Sequence, residues 1–486
     1  MSIDISVLNF KGRLLPPYQV QGARWMRHKE SCYPSGGVLC DEMGLGKTIQ
    51  TLHTICANIH KHPHTLIVLP KSIIGQWVQE IETFSTLSCH VHNTKKPVEL
   101  SMYNIVLCTY SNLATPSCLY NFEWSRVILD EGHTIRNSKT IVYRNIMNYL
   151  SCNGPRWVLT GTPIYNSLSD MITILQFVGL DSGYIRNNTL LCQRNYILRR
   201  TREDIARISK RLELPECIIK NVELVPTEEE IEVYKSIFQK QARKIEHATE
   251  QKRNMVILES ILRCRQVSIH PHVYNENISF NGDPSEKIHQ FANEGPKAGP
   301  STKISTLSAM MSRHKKEKTI VFCHFRKEME LVRFHLVNQG VCIESDIVCL
   351  NGSSSNEERD TQLEYFKTQG SVLLIQIKMG GVGLNLQEAT RVYIMSPSWN
   401  PATDLQAIAR AHRTGQTQQV YVTRLFMADV GQIPSIDKVM LDLQDKKAKI
   451  AAQILEDDRL IKKLPPCLSS SDMKAFVRFF MQYGSV

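Results

Sequence analysis

The sequence predicts an α/β protein with two parallel-sheet units, a helical insertion between them and a helical tail after them. Three observations predict it. Short apolar runs alternate with helical stretches through the first 200 or so residues, and the alternation resumes near Lys318. The runs are apolar without alternation, as strands covered on both faces should be. Between the two series lies a charged stretch with apolar residues at helical spacing.

The first five strand candidates are Gly37–Cys40, Thr65–Leu69, Ile105–Cys108, Arg126–Leu129 and Trp157–Leu159. They define a unit over residues 1–200. Thr227–Ser268 carries the helical pattern within an insertion placed at 201–274. Residues 275–302 are polar, with Gly282, Pro284, Gly295, Pro296, Gly299 and Pro300, and read as a flexible linker. The second series is Thr319–Cys323, Asp346–Leu350, Val372–Gln376, Arg391–Met395 and Val420–Arg424, in a unit over 303–430. The tail, 431–486, reads as polar and helical.

Composition bounds the function. In 486 residues, 42% hydrophobic and 22% charged content excludes a wholly disordered or fibrous chain. The net charge of +11 permits an anionic partner without demanding one. Fourteen cysteines include no Cys-x-x-Cys pair, which argues against a zinc ribbon or RING module. His53, His60, His62 and His64 cluster, but their spacing fits no zinc pattern. No apolar run approaches the ~20 residues that span a bilayer, and the N-terminus has no signal-peptide core. The expectation is an intracellular, reducing compartment with free thiols.

Asp41-Glu-Met-Gly-Leu-Gly-Lys-Thr48 follows a predicted strand and opens a helix. Gly44 and Gly46 let the backbone curl so that N–H groups point at phosphate oxygens. With Glu42, Met43 and Leu45 they form the expected ATP cradle. Lys47 supplies charge to the β- and γ-phosphates, and the Thr48 hydroxyl can ligate Mg²⁺. One departure is Asp41, which stands where the usual pattern has glycine. Val127–Asp130 is an apolar strand ending in Asp130 and Glu131, 83 residues (130 minus 47) beyond Lys47. Asp130 can hold Mg²⁺, and Glu131 can deprotonate the attacking water. Arg410 and Arg413, three apart on a predicted helix, are suited to reaching phosphate because the guanidinium fork is always charged.

Together these residues resemble the motifs of a known family. Asp130-Glu-Gly-His133 resembles the DExH box of superfamily-two helicases, and Leu15-Pro-Pro-Tyr-Gln-Val-Gln-Gly22 the adenine-reading segment upstream. Leu159–Asn166 resembles motif III, Gly380–Leu386 motif V, and Gln406–Gln416 motif VI. The set is similar to the Swi/Snf-type DNA-dependent ATPases, in the branch containing helicase-like transcription factor and, among its compact members, baculoviral transactivators.

The resemblance implies two RecA-like lobes that close on ATP and Mg²⁺. Gln19 would read adenine, Arg410 and Arg413 would act as arginine fingers, and Thr160, Gly161, Thr162 and Gly383 would couple ATP state to DNA grip. His412 and Gln416 could simply support the motif VI helix. It further implies double-stranded DNA, chromatin or transcription complexes as partners, and a nuclear location. Trp77, in a segment resembling motif Ia, would lie along the DNA backbone; a packing residue is the alternative. The basic stretch with Arg199, Arg200, Arg202, Arg207, Lys210 and Arg211 would neutralise phosphates; a solvated basic helix is the alternative. Other functions kept open are a strand-separating helicase, an RNA-dependent ATPase and a non-catalytic transcriptional scaffold.

Overall fold

The computed structural model describes residues 7, 9–12, 17–93, 98–161, 168–208, 214–274, 299–352, 354, 356–380, 384–413, 415–455 and 472–484. The chain divides into two compact units. The first comprises Met1–Glu213 with Ile454–Glu456; the second comprises Leu214–Gln453 with Asp457–Val486. Among the described residues, no helix is long and apolar enough to cross a membrane.

Among the described residues, the first unit holds seven parallel strands: β1 (Gly36–Leu39), β2 (Thr65–Leu69), β3 (Cys89–Val91), β4 (Ile105–Thr109), β5 (Arg126–Asp130), β6 (Arg156–Leu159) and β7 (Ile197–Leu198), in the order β3-β4-β2-β5-β6-β1-β7. Its first three α-helices are α1 (Pro17–Lys29), α2 (Lys47–Ala57) and α3 (Ile74–Phe84). The interior strands β1, β2 and β5 are buried at every residue. The register aligns Leu39 with Leu159 and Asp130 with Leu159, so the residues that follow β1, β5 and β6 emerge along one edge. That is the carboxyl edge, where open parallel sheets bind ligands.

At the amino end of the same strands lies a buried ion pair. Arg126 donates from Nε and Nη2 to Glu30 at 2.7 and 2.8 Å, and from Nη1 to Thr65 Oγ1 at 3.0 Å. Asn58 and Trp157 also donate to Glu30. Burial would raise the Glu30 carboxyl, but Arg126 and these donors outweigh it and hold it below the usual range.

Among its described residues, the second unit holds six parallel strands: β8 (Cys217–Leu224), β9 (Thr319–Cys323), β10 (Ile347–Leu350), β11 (Val372–Gln376), β12 (Arg391–Ile394) and β13 (Val420–Met427), ordered β10-β11-β9-β12-β13-β8. Successive side chains feed two cores. Val321, Cys323, Leu374, Tyr393 and Leu425 face one; Ile320, Phe322, Leu373, Ile375, Val392 and Val422 face the other. The helices Glu228–Glu246 and Glu250–Ile269 form an antiparallel pair beyond the sheet. The final helix, Asp472–Tyr483, packs Phe476, Phe479 and Phe480 onto this pair, with Phe480 stacked on Phe238 at 4.9 Å.

Two readings of the sequence change. The stretch 201–274 is not wholly helical, because it contains β8, which pairs along its whole length with β13. The tail is not merely polar, because its aromatic residues complete a core. The linker reading falls largely on 275–298, outside the described residues; the helix Thr302–Ser312 begins within its last residue.

Candidate nucleotide site

Loop 41–46 connects β1 to α2. Gly44 and Gly46 have φ of 85° and 73°, the left-handed region that glycine enters without steric cost. A Cβ on Gly46 would also meet Gln19 Nε2 at 2.5 Å. Gln19 therefore sits against the loop, with its amide 3.5 Å from the Leu45 carbonyl. Lys47, the first residue of α2, donates from Nζ to the Asp41 carbonyl at 2.8 Å, and Thr48 follows in the first turn. The ammonium thus lies folded over the hollow of its own loop, where phosphate oxygens would replace that carbonyl.

Asp130 ends β5 and is held at three points. Its Oδ1 accepts the Glu131 N–H and its Oδ2 the Trp77 indole N–H, each at 2.8 Å. Its carbonyl accepts the Tyr110 hydroxyl at 2.7 Å. Burial and the charge of Glu131 push the Asp130 carboxyl up to about 6, against the Trp77 hydrogen bond and the attraction of Lys47. Glu131 has φ 49° and ψ 46°, a left-handed conformation rare for a residue with a side chain. Such strain persists where the surroundings impose it, commonly at active sites. His133 Nδ1 lies 3.3 Å from both Glu131 Oε2 and Thr160 Oγ1, and Thr160 N donates to the Leu39 carbonyl at 3.2 Å. The segments after β1, β5 and β6 are thereby linked at one edge. Gly161 lies beside Met43. Thr162 lies outside the described residues, as does Gly383.

Three assignments from sequence are corrected. Trp77 is 1% exposed and spends its N–H on Asp130, so it cannot lie along a DNA backbone. Arg200 is not a surface phosphate contact: Nε and Nη2 bind Asp41, Nη2 also donates to Gln50 Oε1, and Nη1 donates to the Tyr18 carbonyl. Arg202 likewise faces the loop, with Nη2 on the Met43 carbonyl at 2.7 Å and its backbone N–H on Glu42 Oε2 at 2.9 Å. Arg199 is half-buried near the Cys40 thiol. The side chains of Arg207, Lys210 and Arg211 lie outside the described residues.

Residues that sequence reasoning missed are Gln50, whose buried amide reaches Asp41, Leu45 and Gly46, and Tyr110. The signal for Gln50 was the aspartate at a glycine position, since a buried carboxylate demands donors.

In the second unit, Arg410 occupies the last turn of the helix Pro401–Ala411. That helix ends before Arg413, which corrects the expectation that both arginines share a helical face. Arg413 Nη1 reaches the Leu384 carbonyl at 3.4 Å, and Leu386 N donates to the Arg410 carbonyl at 3.0 Å, so the segments resembling motifs V and VI adjoin. Gln416 is buried and donates to Gln387 and Ala389 carbonyls while accepting from Thr417 and Gln418. His412 Nε2 lies 2.8 Å from the Pro215 carbonyl. Both residues support the turn.

Known proteins divide in the same way. Residues 18–187 match the SNF2-related domain and residues 302–415 the helicase conserved C-terminal domain. The chain is similar to "Probable global transactivator" of Orgyia pseudotsugata multicapsid polyhedrosis virus, at 29% identity over 90% of this chain and 91% of that one. It is 27% identical to human "Helicase-like transcription factor" over 81% of this chain and 51% of that protein. It is 25% identical to "Chromodomain-helicase-DNA-binding protein 1-like" of Danio rerio over 96% and 46%. The chain thus spans about half the length of the human and fish relatives. The SWI2/SNF2 ATPase core of Sulfolobus solfataricus, solved with dsDNA, is 25% identical over 96% of this chain and 99% of that one; the TM-score is 0.43, and the fold assignment rests on the two sheets themselves. With an SNF2-related domain followed by a helicase C-terminal domain, each on its own parallel sheet, this chain belongs to the Swi/Snf-type family of helicase-like ATPases.

Proposed function

We propose that this chain is a DNA-dependent ATPase that translocates on double-stranded DNA in the nucleus and remodels protein–DNA complexes during transcription. The observation that carries the reading is the gathering of the Lys47 loop, Thr160 and the Asp130–Glu131 pair along one carboxyl sheet edge. Lys47 takes the β- and γ-phosphates, and Gln19, beside the loop, takes the adenine edge. Thr48 and Asp130 offer a hydroxyl and a carboxylate, hard oxygen donors that fit Mg²⁺. Mg²⁺ bound there would neutralise charge on the phosphate oxygens.

Glu131 accepts the proton of the attacking water, and His133 orients its carboxylate. Arg410 and Arg413 act as arginine fingers on the charge of the transferring phosphoryl group, as the resemblance implies. Thr160 and Gly161, with Thr162 and Gly383, couple ATP state to DNA grip. Arg199 remains a candidate phosphate contact.

The test is ATP hydrolysis by the full chain with duplex DNA, single strands or RNA. Stimulation by duplex without strand separation is expected. Stimulation by RNA alone, unwinding of a blunt duplex, or no hydrolysis would each refute the proposal in favour of another function.

A further inference from the structure

We propose that Arg200 is a positioning residue for the phosphate loop. With Asp41 it replaces the structural work of the missing glycine and ties the nucleotide cradle to the segment by which the chain leaves the first unit. This rests on the reading of 41–48 as the ATP-phosphate loop.

Asp41 is fully buried beneath that loop. A buried carboxylate needs a cation and further donors to be tolerated. Arg200 provides a fork, with Nε on Oδ1 at 2.9 Å and Nη2 on Oδ2 at 2.5 Å. Gln50 Nε2 donates to the same Oδ2 at 3.1 Å and lies 3.3 and 3.2 Å from the Leu45 and Gly46 carbonyls. Arg200 Nη2 also donates to Gln50 Oε1 at 2.8 Å, closing an Arg–Asp–Gln triangle against the underside of the loop. A single ammonium cannot reproduce this planar fork.

The neighbouring helix leaves room for it. At Gly22 of α1, a Cβ would lie 1.8 Å from Gln50 Oε1 and 2.6 Å from Arg200 Nη2. A side chain at that position would push the guanidinium or the amide out of the arrangement described.

The main chain repeats the connection. Cys40 N donates to the Leu198 carbonyl at 2.7 Å, and Glu42 N to the Arg200 carbonyl at 2.9 Å. Arg202 adds its two contacts to Glu42 and Met43. Residues 198–202 therefore form one wall of the loop. The second unit begins at Leu214, only 14 residues (214 minus 200) beyond Arg200. Arg200, Asp41 and the carbonyl on which Lys47 rests thus form one chain of contacts within the first unit.

The test uses the full chain and a non-hydrolysable ATP analogue with Mg²⁺, in R200M, R200K, D41N, D41N/R200M and, as a control, K47A. R200M leaves Asp41 as a buried, unpaired charge. We expect at least a tenfold loss of analogue affinity, a raised KM for ATP with a smaller change in kcat, and unchanged DNA affinity without nucleotide. R200K should recover little. D41N/R200M has no orphaned charge and should bind the analogue better than R200M. Analogue binding by R200M at wild-type strength, a loss of DNA affinity instead, or additive effects in the double variant would overturn the proposal. If R200M does not fold, R200K beside D41N decides: wild-type affinity in R200K overturns it. If the wild type and K47A both fail to bind the analogue, the ATP reading itself falls. If K47A alone loses binding, only the role of Arg200 falls.

Discussion

Replacing Arg126 by Met would strip the cation from a buried pair while filling most of its volume. Glu30 would keep the donors Asn58 and Trp157 but lose both guanidinium contacts, and Thr65 Oγ1 would lose its donor. Removing one partner of a buried pair costs about 3–5 kcal/mol because the other charge stays buried. At about 2–4 °C per kcal/mol for a unit of this size, the first unit should melt roughly 6–20 °C lower. The pH dependence carries more information. In the wild type the Glu30 carboxyl is held below its ordinary 4.5. Its contribution is complete above that value and is lost as pH falls through and below it. Without Arg126, burial dominates and raises the carboxyl above 4.5, so the folded state binds more protons than the unfolded one. Stability of the variant should then rise as pH is lowered from 7 towards 5. Urea melts of R126M across that range, beside E30Q/R126M, measure this. A deficit under about 1 kcal/mol, or a pH slope unchanged from wild type, would refute the account.

Lys47→Ala should abolish ATP hydrolysis with the melting profile retained, since the ammonium's partner in the protein is a loop carbonyl; turnover near wild type would remove the loop from the chemistry. Glu131→Gln should bind ATP but hydrolyse it ~10²–10⁴-fold more slowly, measured by single-turnover assay, because the amide accepts no proton. Arg413→Ala should lower DNA-stimulated turnover by as much as ~10³–10⁵ while changing ATP affinity much less; full stimulated turnover would show that Arg413 is not an arginine finger. Trp77→Phe removes the indole N–H from Asp130 but keeps a ring in the core. It should weaken Mg²⁺-nucleotide binding more than binding of the metal-free nucleotide, and equal losses would make Trp77 a packing residue only.

The interior of both sheets was legible because strands such as Thr65–Leu69, Thr319–Cys323 and Val372–Gln376 are covered on both faces, and burial on both faces leaves an unbroken apolar run. The strands that escaped were β3, β7 and β8, each at a sheet edge. There the demand for apolar residues relaxes: β8 exposes Lys220 and Asn221, and β7 is two residues long. The phosphate loop and the Asp130–Glu131 pair were legible because their spacing is local. The DNA contact expected of Trp77 gave way to its packing alternative, and Arg200 was misread, because their partners, Asp130 and Asp41, lie 53 and 159 residues away, and charge runs do not reveal which arginines are spoken for. Arg413 was placed on a helix by its three-residue spacing from Arg410, but the chain leaves the helix at Ala411.

The edge pairing of β8 with β13 has a consequence for how the protein is made. Cys217 pairs with Val420, so 203 residues (420 minus 217) separate synthesis of the two partners. At ~5–20 residues per second, β8 waits on the order of 10–40 s for its neighbour to emerge from the ribosome. The first sheet, whose last strand ends at Leu198, can close during that interval. The hairpin Glu228–Ile269 waits longer still, because Phe476 lies a further 56 residues (476 minus 420) beyond Val420. The second unit therefore spends its nascent life with an open sheet edge and an uncovered apolar helix face. Slower translation between 224 and 420 would lengthen the exposure of both surfaces.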